Sequence, residues 1–164
     1  MLLPKKEKAQ GLQAGKLIIE ESITIFASLD NVWNTFTDFG CWNHRNLLRE
    51  KTSPEDEKIL REGCKVQFCI YPFNVPIHFE STIEDVSPGK RAVLTTQKWG
   101  ILSHHEFRFR EIDHGVMVTS KESLKAGGPQ RLVLLWQKSR LRDLNVSFLK
   151  DLKKAAEALN GRKN

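Results

Sequence analysis

Most of the short motifs that identify an enzyme class or a metal site are missing from this sequence. Its three cysteines, Cys41, Cys64 and Cys69, are odd in number and lack the paired spacing of metal ligands, so reduced structural thiols are expected. His104 and His105 are adjacent, and on a strand their rings would point to opposite faces. A Gly-x-Ser-x-Gly nucleophile motif and a phosphate-binding loop are also missing. No metal and no cofactor are therefore expected.

The sequence also has no apolar run long enough for a signal peptide or a membrane span. A cytoplasmic protein is expected, with residues 1–15 as a flexible segment and residues 16–160 as a single domain. The formal net charge is +6, but the basic residues are dispersed over strands and the last helix. Because a nucleic-acid surface needs a concentrated basic stripe, no nucleic-acid partner is expected. Attraction to an anionic ligand or a membrane remains the second interpretation of this charge.

The clearest pattern is a long amphipathic helix from Gln130 to Asn160. Its apolar stripe recurs at steps of 3, 4, 4, 3 and 4 through Leu141, Leu144, Phe148, Leu152, Ala155 and Leu159. A stripe of this kind has to pack on an apolar partner, and the alternating, extended sequence from Gly63 to Lys125 is the large one available. The pattern predicts an α+β fold in which a curved antiparallel sheet surrounds the last helix.

The remaining elements follow from local patterns. Alternation predicts a first strand from Lys16 to Phe26, and Ser28 or Asp30 caps a short helix through Thr37. A second short helix or turn is expected over residues 38–46, and a strand over residues 47–52. The sheet then continues with strands around residues 65–70 and 77–83, from Arg91 to Trp99, from Ile101 to Ile112 and from Val116 to Lys125.

The last hairpin has a predicted register. If His114 and Gly115 form a two-residue loop, Phe109 opposes Ser120 and Phe107 opposes Glu122. A slip by one residue would turn a lysine into the core, so the first register is favoured. In this register Ser120 and Glu122 point inward, and His105 lies diagonally across from Glu122.

The order of the predicted elements, from a strand through two short helices and a curved sheet to a long last helix, resembles a known family from Leu17 to Leu159, and two segments add to the resemblance. Residues 38–43, DFGCWN, and the stretch from Ser103 to Gly127, with its histidine, alternating aromatic pair, Asp-x-Gly turn and Thr-x-x-Glu strand, resemble the START-like helix-grip superfamily, also called SRPBCC. Within it the second segment is similar to the polyketide cyclase/dehydrase-like branch. The resemblance implies the helix-grip fold and a cavity between sheet and helix, and it does not name what fills the cavity.

The inward-facing residues mix aromatic and polar side chains, which is typical of ligand sites, whereas a sealed core tolerates few unpaired polar groups. An ordinary core without a cavity is the alternative. The favoured function is binding, with transport as an extension, of a small hydrophobic molecule such as a lipid or polyketide-like compound. The predicted ligand-binding residues are Phe68, Ile70, Phe79, Ser81, Ile83, Leu94, Thr96, Phe107, Phe109, Ser120, Trp136, Leu144 and Phe148.

The second functional hypothesis is an enzyme of the cyclase or dehydratase kind. Glu122 on an inner face would act as a general acid, and His105 would move protons or orient a carbonyl. The alternatives are a carboxylate held by an arginine or lysine, a carboxylate that stays solvated near the open end of the cavity, and a histidine with a structural role.

The start of the last helix, from Leu132 to Trp136, is apolar on every side. A helix on a sheet needs one apolar face, so these residues cover the cavity mouth or form an interface with a membrane, a protein partner or a second copy in a homodimer. Burial by the preceding loops is the third alternative. Gly127 and Gly128 would serve as a hinge.

Overall fold

A computed structural model describes residues 16–38, 47–48, 60–70 and 77–160, with the backbone alone at 47–48, 68–70 and 160. The first half contains β1 (Lys16–Ile25), α1 (Leu29–Thr37), β2 (Leu47–Leu48), β3 (Lys65–Ile70) and β4 (Ile77–Ser87). The second half contains β5 (Arg91–Lys98), β6 (Ile101–Ile112), β7 (Gly115–Ala126) and α2 (Gly128–Asn160). No helix in these ranges is long and apolar enough to cross a bilayer.

The strands form one antiparallel sheet in the order β1-β7-β6-β5-β4-β3-β2. Each strand from β2 to β7 pairs with its neighbour in the chain, and β1 closes the far edge against β7. This confirms the predicted α+β architecture of a curved antiparallel sheet and a long final helix. The second short helix expected over residues 38–46 lies outside the described residues.

Helix α1 forms where the sequence predicted it. The side chain of Ser28 accepts a hydrogen bond from the backbone N–H of Asn31, which satisfies one free donor of the first turn. Val32 and Phe36 are fully buried at a spacing of four residues, and they attach the helix to the core.

Helix α2 packs mainly against β1, β7 and α1. Its most buried positions are Leu134, Asn145, Leu149, Leu152 and Ala156. The predicted stripe is thus rotated by about one residue: Leu144, Phe148 and Ala155 lie on its flank, and Leu159 is exposed. The rotation brings a polar residue, Asn145, against the sheet.

The β6–β7 hairpin corrects the predicted register. Ile112 pairs with Gly115, Phe107 with Ser120 and His105 with Glu122, so the pairing is shifted by two residues. Gly115 belongs to the strand because β1 approaches it closely: a Cβ at this position would lie 2.2 Å from the carbonyl oxygen of Ile25. A shift of two preserves the face of every side chain, and therefore His105 lies directly opposite Glu122 instead of diagonally.

The buried apolar residues form two clusters on the inner face of the sheet. The larger contains Phe36, Phe107 and Phe109 together with Leu149 and Leu152 of α2. The smaller joins Leu17, Ile19 and Leu124 to Leu134, near the start of α2.

Ion pairs lie on the outer face of the sheet. Glu106 is almost fully buried between Arg91 and Arg108, and Arg91 also binds Asp85. Burial acts to raise the pKa of Glu106, but the hydrogen bonds and charges of the two arginines hold this pKa below its ordinary value. Part of the basic charge of the chain is thus neutralised within the sheet.

Candidate functional site

A band of polar side chains crosses the inner face between the two apolar clusters. Along β6 the inward residues run from Ile101 through Ser103 and His105 to Phe107, and along β7 the polar pair Ser120 and Glu122 lies beside them. Inward orientation follows from strand alternation, and the cross-strand pairing sets the members side by side.

Asn145 of α2 joins this band into one hydrogen-bonded network. Its amide nitrogen donates to Glu122 Oε2 at 3.1 Å, and its amide oxygen accepts from the hydroxyl of Ser120 at 3.2 Å. Ser120 Oγ lies 2.7 Å from His105 Nε2, and Ser103 donates to Glu122 Oε1 at 2.8 Å. Four strand residues and one helix residue are therefore held in fixed relative positions.

The order of donors and acceptors determines that Nε2 of the imidazole carries a hydrogen. Asn145 Oδ1 can only accept, so the single hydroxyl hydrogen of Ser120 is used on it. Ser120 Oγ must then accept from His105, which places the imidazole hydrogen on Nε2. In a neutral ring Nδ1 is left as a hydrogen-bond acceptor, and no described residue donates to it.

The surroundings of His105 favour this neutral form. Burial lowers the pKa of His105 below its ordinary value, the negative charge of Glu122 opposes the shift, and His104 adds to it. The imidazole also stacks on the ring of Phe107, with centroids 4.2 Å apart and planes 29° from parallel. The imidazole of His105 thus lies between an apolar wall and a carboxylate, and its lowered pKa favours the neutral form.

Glu122 is held by neutral partners. Among the described residues no arginine or lysine forms an ion pair with it, and its oxygens accept from Asn145 and Ser103. The alternative of a carboxylate neutralised by a cation does not fit this arrangement.

A second polar pair extends the band toward β4. Ser81 and Thr96 share a hydrogen bond, and Thr96 is the cross-strand partner of Ser103. Because the two hydroxyls use one hydrogen between them, the other hydrogen remains available within this pair. This pair can therefore donate to a further acceptor.

One flank of α2 faces the same region. Arg142 binds Glu21 at 2.5 Å and Lys153 binds the carbonyl oxygen of Thr24, so the opposite flank lies over β1. Phe148 contacts Phe107 of β6, with ring centroids 5.3 Å apart. Leu144 lies one turn earlier on the same side, and both residues are half-buried.

The other predicted site residues occupy different environments. Ile83, Leu94 and Phe109 are buried in the larger apolar cluster, and Phe79 is half-buried with its ring 6.5 Å from that of Trp99. Trp136 is 75% exposed on the side of α2 that faces away from the sheet. The side chains of Phe68 and Ile70 lie outside the described set.

Sequence reasoning missed Asn145 and Ser103. The buried α2 residues at positions 145, 149, 152 and 156 are apolar except for Asn145. A polar residue within a helical apolar stripe was therefore the only sequence feature that could have indicated its role. Ser103 alternates with His105 on the inner face of a predicted strand, which placed it correctly but assigned it no role. No group of three metal-ligating side chains occurs within the described part of the chain.

Comparison with solved structures identifies the fold. StfQ, a di-domain ARO/CYC of the steffimycin biosynthetic pathway, superposes with a TM-score of 0.69 at 13% identity, over 89% of this chain and 52% of StfQ. TTHA0849 from Thermus thermophilus superposes with a TM-score of 0.68 at 14% identity, over 87% of this chain and 98% of TTHA0849. Ara h 8.0201 superposes with a TM-score of 0.62 at 10% identity, over 88% of this chain and 99% of Ara h 8.0201.

The chain has the helix-grip fold. The fold that the resemblance implied is thereby confirmed, while residues 39–43 of the first resembling segment lie outside the described residues. The chain spans about half the length of StfQ. The sequence matches no protein-family model, and no curated protein is significantly similar to it.

Proposed function

We propose that this protein binds a small, mostly apolar molecule with one or two polar groups, in the space between α2 and the inner face of β4, β5 and β6. A lipid or a polyketide-like compound has this chemistry. The observation that carries the proposal is the polar network around Asn145, set between two apolar clusters. Buried polar groups are costly, and a network ending in an unused acceptor at His105 suits a ligand with a donor.

Each side of the proposed space supplies a different interaction. The flank of α2 with Leu144 and Phe148 gives apolar contact. Across from it, Thr96 and Ser81 offer a hydroxyl donor, and His105 Nδ1 offers an acceptor. A ligand hydroxyl or enol would bond to His105, and a carbonyl oxygen would bond to the hydroxyl pair.

The fold of the neighbours supports the same interpretation. StfQ is an ARO/CYC from a biosynthetic pathway, and the helix-grip fold is compatible with a ligand site between sheet and helix. A sequence identity of 13% to StfQ supports a common fold and does not indicate a common activity. The proposed ligand class is therefore inferred from the side chains of this chain. A cytoplasmic location belongs to the same proposal.

Titration with the neutral dye Nile red tests the binding site. We expect a saturable increase in dye fluorescence, and we expect Leu144→Trp to weaken binding at least about tenfold because the indole fills the space. Trp136→Ser is the matched control, since Trp136 points outward. Binding that is lost in Trp136→Ser and kept in Leu144→Trp would place the dye on the surface and contradict the proposal.

One observation favours an enzyme as the second candidate. A neutral His105 with an unprotonated Nδ1, held beside Glu122, has the state that a general base requires. A cyclase or dehydratase would use it to remove a proton beside a carbonyl of a bound chain. With a poly-β-keto substrate mimic, Glu122→Gln and His105→Gln should abolish turnover while affinity is kept. Equal loss of both quantities would favour binding alone.

A further inference from the structure

Large apolar side chains are exposed together at one end of the molecule. They are Trp99 at the β5–β6 turn and Leu132, Val133, Leu135 and Trp136 on the first turns of α2, and we call them the apolar end surface. Leu132 is 70% exposed and Trp99 is 64% exposed. Exposure of this size at neighbouring positions is unusual for a monomeric protein surface and indicates an interaction site.

The two parts of this surface lie side by side. A Cβ on Gly100, beside Trp99 in the turn, would lie 3.6 Å from the side-chain nitrogen of Gln130. Ile101 on β6 and Leu134 on α2 pack in the same apolar cluster. The β5–β6 turn and the start of α2 therefore form one continuous end of the protein.

The helix start is apolar on the side that faces away from the protein. Leu134 is buried, at 6% exposure. Because successive residues are about 100° apart on a helix, Leu132 and Trp136 lie roughly opposite Leu134, with Val133 and Leu135 to either side. An amphipathic helix on a sheet has the reverse arrangement, so packing within this chain does not explain these residues.

The turn presents its indole in an unfavourable backbone conformation. Trp99 has φ of 51° and Gly100 has φ of 75°, as two-residue hairpin turns of type I′ require. Asparagine or glycine is preferred at the first of these positions, and a bulky aromatic is uncommon there. The Trp99 ring also lies 4.9 Å from the ammonium group of Lys98. The turn therefore holds an aromatic ring and a cation together at its tip.

Basic residues predominate in the first half of α2. Residues 128–142 contain Arg131, Lys138, Arg140 and Arg142 and no acidic residue, and Arg142 pairs with Glu21 of β1. Lys98 and Lys125 stand at the adjacent ends of β5 and β7. A second copy of the chain would bring these cations against their counterparts, whereas an anionic lipid surface complements them.

We propose that the apolar end surface docks the protein on membranes that contain anionic lipid. The leucine and tryptophan side chains enter the interface between headgroups and acyl chains, where tryptophan is enriched, and the surrounding cations bind the headgroup charge. Docking does not depend on the ligand site, and the two proposals can fail separately. In the docked state the smaller apolar cluster lies between the membrane and the polar band.

Vesicle flotation tests the proposal, with phosphatidylcholine vesicles prepared with and without phosphatidylglycerol. We expect binding to the anionic vesicles that weakens as salt is raised. The double variant Leu132→Ser, Trp136→Ser should lose binding, and Arg131→Glu should weaken it about tenfold. Phe26→Ser and Lys150→Glu are matched controls. The first removes an exposed aromatic side chain and the second reverses an exposed positive charge, both outside the apolar end surface.

Three results would overturn the proposal. The first is no binding of the wild-type protein to anionic vesicles at low salt. The second is equal loss of binding in the control variants, which would remove the assignment to this surface. The third is a dimer, seen by light scattering, that Leu132→Ser, Trp136→Ser converts to monomer while vesicle binding is unchanged, since this would identify a second copy as the partner.

Discussion

Replacement of Asn145 by alanine tests the network that the candidate site depends on. Asn145 is 5% exposed and is the only α2 residue among the described members of the network. Its removal leaves the Ser120 hydroxyl without its acceptor and one oxygen of Glu122 without its donor. Both groups lie between helix and sheet, where water replaces lost partners poorly.

The expected loss of stability follows from those two bonds. A hydrogen bond between neutral groups contributes about 0.5–1.5 kcal/mol, and one to a charged group about 1.5–3 kcal/mol. Asn145→Ala should therefore lower the free energy of unfolding by about 2–4 kcal/mol. With a urea m-value of about 2 kcal/mol per molar, the unfolding midpoint should fall by about 1–2 M.

Urea unfolding followed by circular dichroism measures this change. Ser139→Ala is the matched control, an exposed polar position on the same helix, and should stay within about 0.5 kcal/mol of the wild type. Asn145→Asp adds a second carboxylate beside Glu122, so its deficit should shrink as the pH is lowered and one carboxyl becomes protonated. An Asn145→Ala protein as stable as Ser139→Ala would refute the argument that this residue unites the site.

Two further predictions concern His105 and Gly115. The imidazole pKa of His105, followed by NMR, should lie below its ordinary value of 6.5. Because the folded protein then favours the neutral ring, the contribution of His105 to the free energy of unfolding is complete above pH 6.5. It is lost as the pH falls through the lowered pKa. His105→Gln should flatten this dependence, and a ring titrating at or above 6.5 would contradict it. Gly115→Ala should destabilise the fold by about 2–4 kcal/mol, because its Cβ would meet the carbonyl oxygen of Ile25. Gly127→Ala, with nothing within 4 Å, should be tolerated in the same thermal-unfolding assay, and equal effects of the two would refute the close approach.

Periodicity carried most of the fold prediction. Alternation and helical spacing depend on neighbouring residues alone, so the described strands and both described helices lie close to the predicted positions. The predicted register of the hairpin at Gly115 was wrong for a different reason. Its glycine was assigned to the turn on local preference, but β1, which is distant in sequence, requires a residue without a Cβ there. Such a tertiary contact leaves no local signal.

The site could be predicted only as far as the sheet determines it. Alternation placed His105, Ser120 and Glu122 on the inner face, and the two-residue register error did not change that face. Asn145 could not be found in this way, because its role depends on how α2 is rotated on the sheet. The rotation is set by packing of Leu149, Leu152 and Ala156 against the core, and a helical stripe defines it only to about one residue.

Native mass spectrometry of the purified protein tests the proposed binding most directly. We expect the wild type to carry an apolar compound as an added mass that is released by collisional activation and recovered by organic extraction. Leu144→Trp, whose indole would fill the proposed space beside Phe148, should be folded and free of this mass. A wild-type protein without any added mass, which also fails to take up a neutral apolar dye, would contradict the proposed binding site.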